Sequence, residues 1–448
     1  MDRREFIKTG AGAFFIAATG CVSNSGVVGG AGAPSSRVRL AVLGCHAKGR
    51  GNRIMRAAMM NPGVEIAWVC DVDERARDFA AAEVEKYSGF KPRKEKDFRK
   101  VLEDPNLDGI LSETPDHLHA YTAVMAMRAG KGVYVEKPCC FCPREGEILV
   151  DTWKKTGMVF QMGNQRRASY NIDEALKWLK ETNAIGEIRW ARGWCPGNRA
   201  SIGRGKVVPV PAWLDWDLWQ GPAPRTEYRD NVVHYNWHWF RRWGTAETGN
   251  NSTHFADIAR WAIGEHCFPK RVSCLGGSIF PRKDDDFEWP DTYNMSFEYP
   301  DGKFIAFEQT THNDLASYTD RTGCVAYGSE GSVFFGAADD IVVKDSKGNV
   351  LRTWERNKNA KIGSLTNPTA ELDILQTGNF VKSIRTKDQS TNSPADEAYM
   401  STYLPLISNI AIETDGVLNV DPKTGHPVNS AAAQKRWARE YEKGWELV

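Results

Sequence analysis

Residues 38–51 read VRLAVLGCHAKGRG: an apolar, β-branched run, then a glycine-rich turn, then the first turn of a helical pattern. Strand, tight turn and helix in that order open a parallel sheet with crossover helices. The alternation continues. A helix is predicted over 52–60, a buried strand over 64–70 and a second helix over 74–87. Runs at 98–102, 109–112, 119–129 and 132–135 carry it on, with Thr114-Pro115 and Lys137-Pro138 stopping strands, and a helix at 143–156 and a strand at 158–163 finish it. Such a series connects through right-handed βαβ units, so residues 37–163 are predicted to form a Rossmann domain, parallel and doubly wound.

After Asn164 the pattern changes. A helix over 171–182 and a strand over 187–194 lead into a stretch rich in Trp, Pro and Gly, 196–243. A connection that long inside a compact domain is usually functional or covers a partner. Strands follow at 271–279, 293–299, 304–309, 325–327, 332–335 and 341–344. The turns Pro300-Asp301-Gly302 and Gly328-Ser329-Glu330-Gly331 mark hairpins, and helices return at 370–386 and 395–414. Residues 164–448 are therefore expected to form a second α/β domain around a mostly antiparallel sheet.

The chain has 448 residues and a formal net charge of +1, with 58 basic against 57 acidic side chains. No global field recruits nucleic acid or an anionic membrane surface. The 16 tryptophans either stack on sugar rings or fill cores. Cys139, Cys140 and Cys142 crowd one loop without the paired spacing of a zinc site, so no metal centre is expected. Asp2–Lys8, DRREFIK, matches the twin-arginine export pattern, and the apolar run 11–19 behind it is too short to span a bilayer. Residues 1–36 thus read as an export signal and a small-residue linker, which places the mature protein in the periplasm. Cys21, in ATGC, loosely resembles a lipoprotein cleavage site that lacks the usual leucine. A lipid anchor there is the one route to membrane contact.

In the glycine turn, Gly44, Gly49 and Gly51 keep glycine where a backbone must approach a pyrophosphate. His46 takes the second glycine position, and Arg50 opens the helix. Asp71 closes the second strand, where a carboxylate accepts from both adenosine ribose hydroxyls and repels a 2′-phosphate; that favours NAD over NADP, with Arg75 close enough to soften the preference. Thr114, Pro115 and His119 fall where the nicotinamide ribose is expected, although a core histidine explains His119 equally well. Glu136 and Lys137 end the GVYV strand beside the ligand crevice. In GNNSTHFAD, residues 249–257, His254 and Asp257 share a helical face, so Asp257 either holds the imidazole's tautomer or only caps the helix. Arg166, Tyr170, Trp237, His238 and Asn250 are the candidates for holding substrate.

Taken together, the glycine turn, Asp71, TPDHLHA (114–120), AGKGVYVEKP (129–138) and GNNSTHFAD resemble the glucose–fructose oxidoreductase/inositol dehydrogenase (Gfo/Idh/MocA) family. The resemblance runs from Val38 to the C-terminal helices. It implies a Rossmann domain followed by an α/β domain with an open sheet, and NAD(P)-dependent hydride transfer at a carbinol of a sugar, cyclitol or related polyol. Lys137 then matches the family's catalytic lysine and His254 its catalytic histidine, with Glu136 positioning the lysine or the cofactor. The open sheet implies a homodimer or homotetramer. One position departs: where many dehydrogenases of the family carry an aspartate four residues before the histidine, this chain has Asn250. An amide cannot take a proton, so a second function stays open. Some exported relatives are glycosidases that hold NAD permanently and use it in an oxidation, elimination, hydration and reduction cycle. A third reading is a non-catalytic sugar-binding protein on the same fold.

Overall fold

The computed structural model describes residues 37–280, 282–313, 321–356 and 370–448. The export motif and Cys21 lie outside the described residues.

A six-stranded, wholly parallel sheet runs through the first part. Its strands are β1 (Val38–Leu43), β2 (Val64–Cys70), β3 (Arg93–Glu95), β4 (Gly109–Ser112), β5 (Gly132–Val135) and β6 (Phe160–Met162), in the order β3-β2-β1-β4-β5-β6. The helices between them are α1 (Arg50–Met59), α2 (Glu74–Ser88), α3 (Phe98–Leu102), α4 (Asp116–Arg128) and α5 (Pro143–Thr156). Strand order reverses between β1 and β4, which opens a crevice at their carboxyl ends. Every residue of β4 and β5 is buried, as a strand covered on both faces requires.

The second part begins with α6 (Tyr170–Thr182) and β7 (Ile188–Pro196). After the Trp-rich insert, which contains α7 (Trp216–Gln220), come α8 (Thr253–Ile263), β8 (Arg271–Gly277), β9 (Thr292–Glu298), β10 (Phe304–Thr310), β11 (Gly323–Gly328), β12 (Gly331–Gly336), β13 (Ile341–Asp345) and β14 (Val350–Trp354). Helices α9 (Ala370–Thr386) and α10 (Ala395–Ile412), strands β15 (Val417–Val420) and β16 (Pro427–Val428), and α11 (Ala431–Lys435) complete the described chain. Among the described residues ten strands form one sheet, in which only β7 and β10 pair in parallel. The insert builds a small core of its own. In it Trp216 stacks on Trp219 with ring centroids 4.8 Å apart, and Trp243 meets both rings edge-on. Trp216 and Trp243 fill a core and are not free to stack on a sugar.

Sequence order and spatial order part company at α9. Phe380 and Val381 pack into the same core as Val38, Leu40 and Val42, and Asn61, just beyond α1, donates to Thr377 at 3.1 Å. The second segment therefore returns to cover one face of the Rossmann sheet.

His117, at the start of α4, has no exposed surface, and its Nε2 lies 3.0 Å from the Trp219 carbonyl of α7. Burial, reinforced by Arg439, pushes its pKa down to about 3. The folded value lies below the unfolded one, so stability is complete above the ordinary histidine range and is lost as pH falls below it. We expect urea melts to give about 2 kcal/mol less stability at about pH 5 than at about pH 7 from this group. That increment should vanish in His117→Gln. An unchanged pH dependence in the variant would rule the assignment out.

Candidate active site

A cavity of about 510 Å³ lies over the carboxyl ends of β1, β2, β4 and β5 and is closed by the insert and by the start of α8. Its volume suits a cofactor or small-ligand site.

At one end the chain is shaped for a pyrophosphate. Gly44 has φ +80°, and a Cβ there would stand 2.6 Å from the Glu113 carbonyl; a Cβ on Gly51 would stand 1.8 Å from the Gly44 carbonyl. Only glycine fits either place, and the backbone cradle so formed opens at the N-terminus of α1, where N–H groups and dipole favour an anion. Asp71 lines the same cavity. Its Oδ2 accepts from the Cys45 N–H at 2.7 Å and its Oδ1 from the Asp73 N–H at 2.9 Å. Each oxygen keeps a free lone pair for a ribose hydroxyl. Cradle and carboxylate together fit a dinucleotide. His46 stacks on His234 of the insert with centroids 4.3 Å apart, and burial and that neighbour lower its pKa. Arg50, also in the wall, has its guanidinium committed: it donates to Glu136 at 2.9 Å and clasps Asp373 of α9 at 2.9 and 2.6 Å. Glu136 thus receives Arg50 and, at 3.3 Å, the Lys137 backbone N–H.

At the other end stand Lys137 and His254. The Lys137 ammonium donates to the backbone carbonyl of Asn250 and, at 3.2 Å, to its Oδ1. A turn of π-helix, Thr248–Ser252, precedes α8 and presents both oxygens; such turns recur at functional sites because they free carbonyls from the regular ladder. Burial lowers the lysine pKa, with Glu136 and Asp116 pulling the other way. His254 is 2% exposed, and its Nδ1 has no hydrogen-bond partner among the described residues. Burial, then the positive charges of Lys137, Arg166 and Arg50, holds its pKa well below the ordinary value. The ring is neutral and able to accept a proton.

His238 and Trp237 of the insert also line the cavity, their rings stacked at 3.6 Å. His238 Nδ1 lies 2.6 Å from the Tyr235 carbonyl, and burial pushes its pKa down to about 3. With Nδ1 donating, Nε2 is left as an acceptor. Thr114 and Pro115 lie in the wall, and His119 bridges two strand-end loops, its Nδ1 2.6 Å from the Pro138 carbonyl and its Nε2 2.7 Å from that of Thr114.

Three expected residues are elsewhere. Asp257 does not hold His254: Arg167 takes both of its oxygens at 2.7 to 3.2 Å, and Asn164 and Ser401 take the remaining capacity. A three-residue spacing gives a shared helical face but does not choose which neighbour claims the charge. Arg166, 1% exposed, donates to the Ala337 carbonyl at 2.8 Å and lies over the Phe255 ring, so it braces the second sheet behind the cavity. Tyr170 is 56% exposed at the start of α6, outside the cavity wall.

Comparison with known proteins gives two family matches. Residues 38–164 match the oxidoreductase family with an NAD-binding Rossmann fold, and residues 182–447 match that family's C-terminal alpha/beta domain. This chain belongs to the Gfo/Idh/MocA oxidoreductase family. Its first domain is accordingly an NAD-binding Rossmann domain. Among relatives of this Gfo/Idh/MocA chain, levoglucosan dehydrogenase from Pseudarthrobacter phenanthrenivorans is 26% identical over 41% of the chain and 40% of its own length. A glycosyl hydrolase family 109 protein from Saccharopolyspora erythraea is 36% identical over 27% of the chain and 26% of its own length. The chain therefore spans well under half of either relative. A solved levoglucosan dehydrogenase in complex with NADH and levoglucosan has the same fold, with a TM-score of 0.61 and 19% identity over 83% of this chain and 96% of that one.

Two features of this family member escaped the sequence reading. Glu247, 2% exposed, accepts from Arg199 at 3.1 and 2.6 Å and from the Asn250 amide at 3.2 Å. Asn250 thus links Lys137 on one side to a buried carboxylate on the other. Glu113, in the wall beneath the glycine turn, has both carboxyl oxygens without a hydrogen-bond partner among the described residues; burial and then Glu136 raise its pKa well above the carboxylate range, which favours the neutral acid. A lone charge inside an apolar strand end was the available sign of Glu113. Glu247 offered only its place seven residues before His254.

Proposed function

We propose that this chain is an oxidoreductase that exchanges hydride between NAD and a carbinol carbon of a sugar or polyol. One observation carries the reading: Lys137 and the neutral His254 line the same cavity as the glycine cradle and Asp71. Bound NAD supplies the hydride acceptor. Lys137 hydrogen-bonds the reacting hydroxyl and stabilises it as an alkoxide, and His254 receives the proton that leaves. Glu136 and Asn250 fix the lysine's backbone and ammonium. The hydroxyl-rich substrate meets Trp237, His238 and Asn250. Levoglucosan dehydrogenase, a sugar-oxidising relative by its name, supports the substrate class.

A second reading is favoured by Asn250 and by the likeness to a glycosyl hydrolase family 109 protein. In it the sugar hydroxyl is oxidised to a ketone, which acidifies the neighbouring C–H. A base removes that proton, the aglycone leaves with its bonding pair, water adds, and the ketone is reduced again. His238 offers a second neutral imidazole for the extra proton step. Export through the twin-arginine pathway with NAD already seated suits this cycle, since no free cofactor is consumed, and assembly through the large sheet into a dimer or tetramer belongs to the same proposal.

The purified protein, its bound nucleotide identified, should be given free sugars with NAD and aryl glycosides without it. Stoichiometric NADH selects the dehydrogenase, and aglycone release without NADH selects the glycosidase. Neither product from a broad panel would leave only a binding protein.

A further inference from the structure

The insert does more than cover the cavity. Its residues Trp213–Asp215 dock on the loop that follows β2: Glu74 donates its N–H to the Trp213 carbonyl at 2.9 Å, and Asp215 donates its own to the Val72 carbonyl at 3.1 Å. That loop continues directly from Asp71, so the docked segment borders the adenosine end of the dinucleotide site.

The cations at this end are tied up, two of them by the insert. Arg75 donates to both oxygens of Asp73 at 3.1 and 2.8 Å, and its guanidinium carbon lies over the Trp213 indole, 3.4 Å from the ring centroid. Lys96, in the cavity wall, is paired with Asp215 at 2.7 Å. Arg77 is bonded to the Asp71 carbonyl. Asp73, fully buried, also holds His234, the ring that stacks on His46. Lys48, exposed on the glycine turn, belongs to the pyrophosphate side.

A 2′-phosphate carries nearly two negative charges near neutrality and needs arginine or lysine donors in place of a ribose hydroxyl. Asp71 and Asp73 would repel it. Arg75 and Lys96 are long enough and exposed enough, with 57% and 52% of their side chains open, to turn and meet it. We infer that the insert, through Trp213 and Asp215, sets the dinucleotide selectivity of this chain by immobilising Arg75 and Lys96, so that NADP is excluded by withheld cations as well as by Asp71. This deepens the oxidoreductase reading and rests on it only for the dinucleotide itself.

The test is calorimetric binding of NAD and of NADP to the full chain stripped of nucleotide, with no turnover required. Trp213→Leu keeps the apolar bulk and removes the stacking face, and Asp215→Asn keeps the helix cap and removes the ion pair. Combined, they should strengthen NADP binding about ten- to a hundredfold, the worth of a regained charge-assisted contact, and leave NAD binding little changed. Arg75→Gln together with Lys96→Gln should abolish that gain in the combined variant, yet Arg75→Gln should leave NADP binding unaltered in the otherwise natural chain. Unimproved NADP binding in the combined variant overturns the inference. So does a loss of NADP affinity on Arg75→Gln alone, which needs no change in the insert and covers a combined variant that fails to fold. If the natural chain binds neither dinucleotide, the oxidoreductase reading falls as well.

Discussion

Lys137→Ala is expected to lower kcat about a thousandfold while leaving NAD affinity nearly unchanged. The ammonium meets Asn250 and not the glycine cradle or Asp71, so the nucleotide loses none of the contacts proposed for it. What disappears is a positive charge in a buried site, where attraction for a developing alkoxide is strong because water does not screen it. Lys137→Arg should not rescue. A planar fork cannot place one compact charge between both oxygens of Asn250 and a substrate hydroxyl. Single-turnover NADH formation, read beside a nucleotide titration, separates the two effects. A Lys137→Ala enzyme with near-normal single-turnover rates would remove lysine from the chemistry. Equal loss of rate and NAD affinity would make Lys137 a cofactor ligand instead.

Much of this site was legible because its parts sit at strand ends. Asp71, Thr114 and Lys137 each follow an apolar run that a breaker or a charge terminates, and the parallel topology then delivers all of them to one crevice. The strands themselves were equally plain where they are buried and β-branched: β1, β2, β4 and β5 occupy the expected residues. Elements without that pattern were missed. β3 is Arg-Lys-Glu at a sheet edge, with no apolar face to announce it, and β14 opens on an exposed Val350 and Leu351 and buries only Trp354, so its apolar residues do not alternate. The π-turn is invisible to periodicity because it lies between two helical periods.

The partners of charged groups were the least legible. Arg199 and Glu247 stand 48 residues apart and meet only because β7 and the turn before α8 converge. Asp257 went to Arg167 for a similar reason, since tertiary packing decided between two acceptable neighbours. The consequence for Asn250 is chemical. A buried carboxylate, Glu247, is reached from Lys137 through the Asn250 amide, which accepts from Lys137 and donates to Glu247. Arg199 also pairs with that carboxylate; Lys137 gains orientation from the link, and Glu247 adds, after Glu136 and Asp116, to the charges that oppose the burial-lowered lysine pKa.

His254→Ala is expected to lower kcat by about a hundred- to ten-thousandfold, the range for losing a general base. The pH profile makes the assignment specific. A histidine must be neutral to accept the proton, so activity fails as pH falls through its pKa. Burial and the nearby charges of Lys137, Arg166 and Arg50 place that value well below the ordinary 6.5. The acid limb of kcat/KM should therefore lie below the usual histidine range, with full activity retained on descending from neutrality into mildly acid buffer. In His254→Ala the residual activity should lose that limb. Asp257→Asn, whose carboxylate serves Arg167, should leave the limb in place even if it weakens the fold. A limb at or above the ordinary histidine value, or one that survives the removal of His254, would transfer the base to another group, and His238, a second neutral imidazole in the wall, would be the one to replace next.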